Sequence, residues 1–181
     1  MIKAYFFDWM KTLGDYKDII DFKEYLTPEE YASFTLTKEL DDLGLDDKKK
    51  KKILYGLNGT ILSLFEDSLE IIKELKEKGY KICLISNTYP ITPNRIRKLF
   101  GNVLKYFNVV TFSSEVGIKK PNPEIFTFTL NQLNKLNNKS ILPKEVIMIG
   151  NSEEHDINPA LSLGMQARLI DRTKQNLRDV I

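Results

Sequence analysis

The chain is 181 residues long, 42% hydrophobic and 29% charged, which suits one globular domain with a full core and room for a small insertion. Its 27 basic and 25 acidic side chains leave a net charge of +2, a balance that gives no support to a general nucleic-acid or membrane-surface role.

The apolar run IKAYFF opens the chain as a predicted strand and leads directly into Asp8. From about Asp15 to Phe65 no strand pattern is visible. In TPEEYASFTLTKELDDLG, Thr27 is the predicted N-cap, Pro28 the first helical residue and Glu30 the closing member of a capping box. After Gly44 a second helix is expected through DDKKKKKILYGL, ending at an Asn58-Gly59 turn. Its lysines, Lys48 to Lys52, read as a solvated helix face; the sharper alternative is a positive rim that draws an anionic substrate inward.

Beyond Phe65, helix and strand alternate. EDSLEIIKELKEKG, TPNRIRKLFG, PEIFTFTLNQLNKLN and DINPALSLG have helical spacing; YKICLIS, NVVTFSS, VIMIG and QARLID read as strands too unbroken to be half exposed. Thr92-Pro93 starts one of these helices, and Gly79, Gly101 and Gly164 are expected to cap the C-terminal ends of three. The alternation predicts an α/β fold, a Rossmann-like parallel sheet flanked by helices, with a small all-helical insertion. The core is expected over residues 1–14 and 66–181 and the insertion over 15–65.

Cys83, the single cysteine, excludes an internal disulfide and reads as an inert core thiol. With no signal-peptide pattern and no apolar stretch of roughly 20 residues, a cytoplasmic location is expected.

Ligands of open parallel sheets bind beyond the C-terminal ends of the strands. There the sequence places Asp8, Ser86-Asn87, Lys120 in the loop SSEVGIKKPNPEIF, and Asn151 and Asp156 in GNSEEHD. Any one of these is explained as a strand-end cap; the ordered set is not. Glu153, Glu154 and His155 read as a solvated loop rather than a metal cluster, because adjacent loop residues rarely converge on one centre.

These residues, in this order, resemble the haloacid dehalogenase superfamily of hydrolases. FFDWMKTL is similar to its first motif, LISNT to its second, GIKKPNPEIF to its third and IMIGNSEEHDINPALSLGM to its fourth. The insertion resembles the family's cap. The resemblance implies a small anionic, phosphorylated substrate, with Asp8 as nucleophile and Ser86 and Lys120 as catalytic partners. It implies Thr12 and Asn87 in substrate binding, and a magnesium ion held by Asp8, the Met10 carbonyl, Asn151 and Asp156.

Two departures from that pattern bear on function. The family's phosphatases carry at position 10 an acid that protonates the leaving group; Met10 has no proton to give, a loss of roughly 10²–10⁴-fold. At position 151 they carry an aspartate, and neutral Asn151 implies weak magnesium binding. Lys11 adds positive charge close by. Branches that lack the position-10 acid include ion-pumping ATPases and phosphonate-cleaving enzymes, whose DWAGT the local DWMKT resembles. The reading adopted is a phosphatase-type hydrolase with a retuned site. A 2-haloacid dehalogenase is a second reading, opposed by the lack of an arginine before Arg95 and by Phe126 in place of that branch's tyrosine. A non-catalytic ligand- or protein-binding descendant is the third.

Overall fold

The computed structural model describes residues 1–17, 21–34, 36, 40–59, 61–137 and 140–181. β1 (Ala4–Phe7) is buried at all four positions. The chain turns through Lys11, at a left-handed φ of 55°, into β2 (Gly14–Lys17). Two helices follow, α1 (Pro28–Phe34) and α2 (Asp47–Gly59), then β3 (Ile61–Leu64), which pairs antiparallel with β2. The remainder runs α3 (Glu66–Glu77), β4 (Lys81–Ser86), α4 (Thr92–Leu104), β5 (Val109–Phe112), a short α5 (Ser113–Val116), α6 (Glu124–Lys135), β6 (Val146–Gly150), α7 (Asn158–Ser162) and β7 (Gln166–Leu169).

The main sheet is parallel, in the order β5-β4-β1-β6-β7. β1 lies at its centre, with Ala4 opposite both Lys81 and Val146. Alternation along the strand divides the core. Tyr5 and Phe7 join Ile71, Ile72, Leu84 and Ile96 on one face, whereas Ala4 and Phe6 join Ile125, Phe126 and Met148 on the other. Cys83 belongs to the second cluster, where burial pushes its thiol up to about 12, as an inert core cysteine requires.

The insertion has an apolar cluster of its own, built on Phe22, Leu26, Phe34, Ile53 and Leu57, with Tyr89 and Ile91 of the β4–α4 loop packed against it. The α1 capping box forms as expected: Glu30 N–H donates to Thr27 Oγ1 at 3.2 Å, and Thr27 N–H to the Glu30 carboxylate at 2.8 Å.

Four local expectations are corrected. The β2–β3 ribbon occupies both ends of the segment expected to lack strands; four-residue strands of mixed polarity carry too little alternation to be seen. α1 stops at Phe34, and a separate 3₁₀ turn spans Leu40–Leu43; the predicted helical stretch over 35 and 37–39 lies outside the described residues. Asn58-Gly59 forms the last turn of α2. α4 continues past Gly101 to Leu104, the break falling instead at Phe100 (φ −123°, ψ 24°), while Gly79 and Gly164 take the left-handed conformations predicted for them.

Candidate active site

β1 delivers Asp8 to the C-terminal edge of the sheet, where its N–H donates to Ile149 O at 3.0 Å. The Asp8 carboxylate is buried, 5% exposed, and accepts from Lys120 and from Thr12 of its own turn. Lys120 Nζ donates to Asp8 Oδ1 and to Asp156 Oδ1, each at 2.6 Å, and Lys120 is itself 2% exposed. Thr12 Oγ1 donates to Asp8 Oδ2 at 3.3 Å, and Ser152 N–H to Asp156 Oδ2 at 3.0 Å. Gly150 makes this packing possible: a Cβ there would lie 2.4 Å from the Asp156 carboxyl carbon.

One ammonium thus serves two buried carboxylates. Burial pushes the Asp8 carboxyl up to about 6; Lys120 opposes that shift and Asp156 reinforces it. Burial alone would lower the Lys120 value, but the two carboxylates outweigh it and raise it, so the ammonium keeps its charge.

Asn87 fixes the backbone that carries this lysine. Its Nδ2 donates to Lys120 O, and its Oδ1 accepts from Lys120 N–H, both at 2.9 Å. The structure therefore engages the Asn87 carboxamide at both ends with Lys120. Ser86 is buried at the end of β4, its Oγ 3.5 Å from Asn87 O.

Above this cluster lies a cavity of about 310 Å³. Met10, Asn87 and Lys120 are the predicted site residues that line it. Asp8, Thr12, Ser86 and Asp156 are buried behind that lining, and Asn151 is half-buried at the end of β6. Sequence reasoning missed Tyr16, Tyr89 and Arg95, which also line the cavity. Tyr89 and Arg95 follow the second motif within one loop and one helical turn, which is the signal that could have drawn attention to them.

The lysine run stands apart from the cavity lining. Lys49 pairs with Glu30 and Lys50 with Asp41, both at 2.8 Å, and the Lys52 ammonium lies 4.9 Å from the centre of the Tyr25 ring. That is the solvated helix face of the simpler expectation. Glu153 and Glu154 are exposed, and the His155 ring meets Ser152 Oγ at 3.2 Å. Among the described residues no group of three or more His, Cys, Asp or Glu side chains forms a metal cluster.

A glyceraldehyde 3-phosphate phosphatase of Methanothermobacter thermautotrophicus is 33% identical over 118 residues, 65% of this chain and 49% of the relative. A phosphoserine phosphatase of Thermus thermophilus is 28% identical over 110 residues, 60% of this chain and 41% of the relative. The matched region thus spans less than half the length of either relative. Among solved structures, a haloacid dehalogenase-family enzyme of Bacteroides thetaiotaomicron, in complex with magnesium and inorganic phosphate, aligns over 100% of both chains at a TM-score of 0.75 and 19% identity, a likeness of fold. The family model for haloacid dehalogenase-like hydrolases matches residues 2–164. Sequence match and sheet topology agree over most of the chain, which belongs to the haloacid dehalogenase-like hydrolase family.

Proposed function

We propose that the protein is a phosphohydrolase for small phosphorylated metabolites, with Asp8 as the nucleophile and the insertion as a cap over the site. The observation that carries this reading is the single Lys120 ammonium held 2.6 Å from both Asp8 and Asp156. It places a fixed positive charge beside a carboxylate at the strand end, where an anionic group would arrive. The phosphatase names of the relatives support the same substrate class.

In this reading an Asp8 oxygen attacks phosphorus, and the bond to the leaving oxygen breaks with its electron pair. Ser86 and Lys120 hold the phosphoryl oxygens as charge builds on them. Thr12 orients the Asp8 carboxylate, and Asn87 holds Lys120 in register. Water then attacks phosphorus, which releases phosphate and restores Asp8.

A magnesium ion suits the donor set, because Asp8, the Met10 carbonyl and Asn151 all offer hard oxygen atoms, with Asp156 nearby as a second carboxylate. When bound, magnesium supplies neutralising charge to the phosphoryl group. Two carboxylates shared with a lysine, and a neutral Asn151, make that binding weak.

Met10 limits the leaving group. Acyl and aryl phosphates release stable anions without a proton, whereas alkyl phosphates release a poor alkoxide. Wild type is expected to hydrolyse acetyl phosphate well and a sugar phosphate poorly. Met10→Asp should raise sugar-phosphate turnover far more than acetyl-phosphate turnover, within the range of roughly 10²–10⁴-fold. Asp8→Asn should abolish both activities and the phosphorylated Asp8 that mass spectrometry would detect. Unchanged turnover in Asp8→Asn removes Asp8 from the mechanism. No turnover and no adduct in wild type would favour a binding protein without catalysis.

A further inference from the structure

His155 brings the loop beyond β6 into the cavity lining and stands immediately before Asp156. The Asp156 carboxylate meets Lys120 Nζ at 2.6 Å, so the imidazole stands at the end of the cavity that meets the sheet. Ser152 holds this turn twice. Its N–H donates to Asp156 Oδ2 at 3.0 Å; its Oγ accepts from His155 N–H at 3.1 Å and lies 3.2 Å from His155 Nδ1.

Those contacts decide what the ring can offer. Ser152 Oγ already accepts from the backbone, so its own hydrogen goes to Nδ1, and the ring hydrogen is on Nε2. In a charged ring Nδ1 gains a hydrogen and Nε2 keeps its own. Nε2 is a donor in either state and an acceptor in neither. It has no partner among the described residues.

Much of the remaining polar lining is engaged within the protein. The Asn87 carboxamide holds Lys120, Thr88 Oγ1 meets Ser114 Oγ at 2.8 Å, and the Tyr31 and Tyr89 hydroxyls bond to each other at 3.2 Å. Arg95 and Lys119 likewise have partners. The Thr92 and Tyr16 hydroxyls also line the cavity, but Thr92 opens α4 and Tyr16 belongs to β2, each on a segment other than the one that carries Asp156.

We propose that His155 is a specificity-determining residue, whose Nε2–H holds a carbonyl oxygen next to the phosphate, so that the site takes small acyl phosphates. The assignment rests on the proposed phosphohydrolase reading for the phosphate at Lys120. A donor without acceptor capacity pairs with an oxygen that only accepts, as a carbonyl does; a sugar hydroxyl brings a hydrogen that needs an acceptor of its own. The cavity of about 310 Å³ lies at the small end of ligand pockets. Met10 agrees on independent chemistry. As an Asp8 oxygen bonds to phosphorus, the bond from phosphorus to the bridging oxygen breaks. Its electron pair departs on a carboxylate that shares the charge with the carbonyl oxygen, and no proton is required.

The test is calorimetric titration of the whole chain, in magnesium buffer, with 2-oxopropylphosphonate and 2-methylpropylphosphonate. The first is an uncleavable acetyl phosphate analogue; the second replaces its carbonyl oxygen by a methyl group. Wild type is expected to bind the ketone about fivefold tighter, the net worth of one hydrogen bond. His155→Phe should bring the ratio to about one or below, and His155→Gln, which keeps an N–H donor, should retain part of it. Thr92→Val and Tyr16→Phe should leave the ratio as in wild type. A ratio taken within one variant is insensitive to general damage to the loop. Equal affinities in wild type, a preference that survives His155→Phe or disappears in Thr92→Val or Tyr16→Phe, or no binding of either ligand overturns the proposal. Titration does not require turnover. A protein that shows the preference and hydrolyses no phosphorylated substrate would overturn the proposed function alone; a phosphatase without the preference would overturn this inference alone.

Discussion

Asp8 is a carboxyl group that folding makes harder to ionise. Burial lifts it from the ordinary aspartate value of 3.8 to about 6, against the pull of Lys120 and with the push of Asp156. Between those two values the native state holds a proton that the unfolded chain has released. The stabilising contribution of this group is therefore present at acid pH and lost as pH rises through about 6. Asparagine is neutral throughout, so Asp8→Asn should gain stability relative to wild type between about pH 4.5 and about pH 7. Urea unfolding of the metal-free proteins at both values checks the sign; a difference that does not grow with pH contradicts it. Asn151 governs the other local charge. Asn151→Asp adds an anionic oxygen to the proposed magnesium site and is expected to tighten magnesium by about an order of magnitude in calorimetry. Unchanged or weaker affinity would show that magnesium binds elsewhere.

At the scale of elements, the turn after Asp8 depends on one close approach. Trp9 O accepts from the N–H groups of Thr12, Leu13 and Gly14, which winds the chain tightly between β1 and β2. Leu13 O then accepts from Phe65 N–H at 3.0 Å and from Ser68 Oγ at 2.8 Å, so the ribbon is tied to the start of α3. A Cβ on Gly14 would lie 2.3 Å from Ser63 O, a backbone atom that cannot swing aside. Gly14→Ala is expected to destabilise the protein by about 1–3 kcal/mol, read from the urea midpoint at unchanged slope. It should also lower turnover, because Thr12 and Met10 sit on the same turn. Wild-type stability in this variant would mean that the ribbon yields without strain.

At the scale of the whole molecule, the insertion is held to the sheet by an aromatic pillar from the core. The Tyr89 ring stacks on Phe34 with centroids 4.7 Å apart and meets Phe22 edge-on at 5.1 Å. Neither phenylalanine is close to Tyr89 in sequence, and both belong to the insertion's own cluster. Tyr89→Ala removes that pillar while leaving the parallel sheet's two apolar layers intact. A loss of about 3 kcal/mol is expected, and it should be local. Hydrogen exchange should quicken across α1 and α2 and stay unchanged in β1, β4 and β6. Uniform loss of protection would mean that insertion and sheet unfold as one unit.

The sequence by itself determined the five strands of the main sheet; β1, β4 and β6 are short apolar runs covered on both faces and legible without their neighbours, whereas the edge strand β7, expected to be too unbroken for half exposure, is mostly exposed because it has a neighbour on one side only. It also determined which side chains stand at the strand ends, so Asp8, Ser86, Lys120 and Asp156 were readable as a set, with Lys120 distinguished from Lys119 by the resemblance of GIKKPNPEIF to the family's third motif. The β2–β3 ribbon was not readable, since a pair of four-residue strands is defined by its partner and by Gly14's closeness to Ser63 rather than by local alternation. Gly101 misled for a related reason: a glycine ends a helix only when packing turns the chain there, and here the break falls at Phe100. Only the tertiary structure decided the strand order and the bridging of two carboxylates by a lysine 112 residues from Asp8. It likewise decided the cavity, whose walls combine Tyr16, Tyr31, Tyr89 and Arg95 from four separate elements and loops. Periodicity records which face of an element is covered; what covers it depends on contacts between segments that no local pattern encodes.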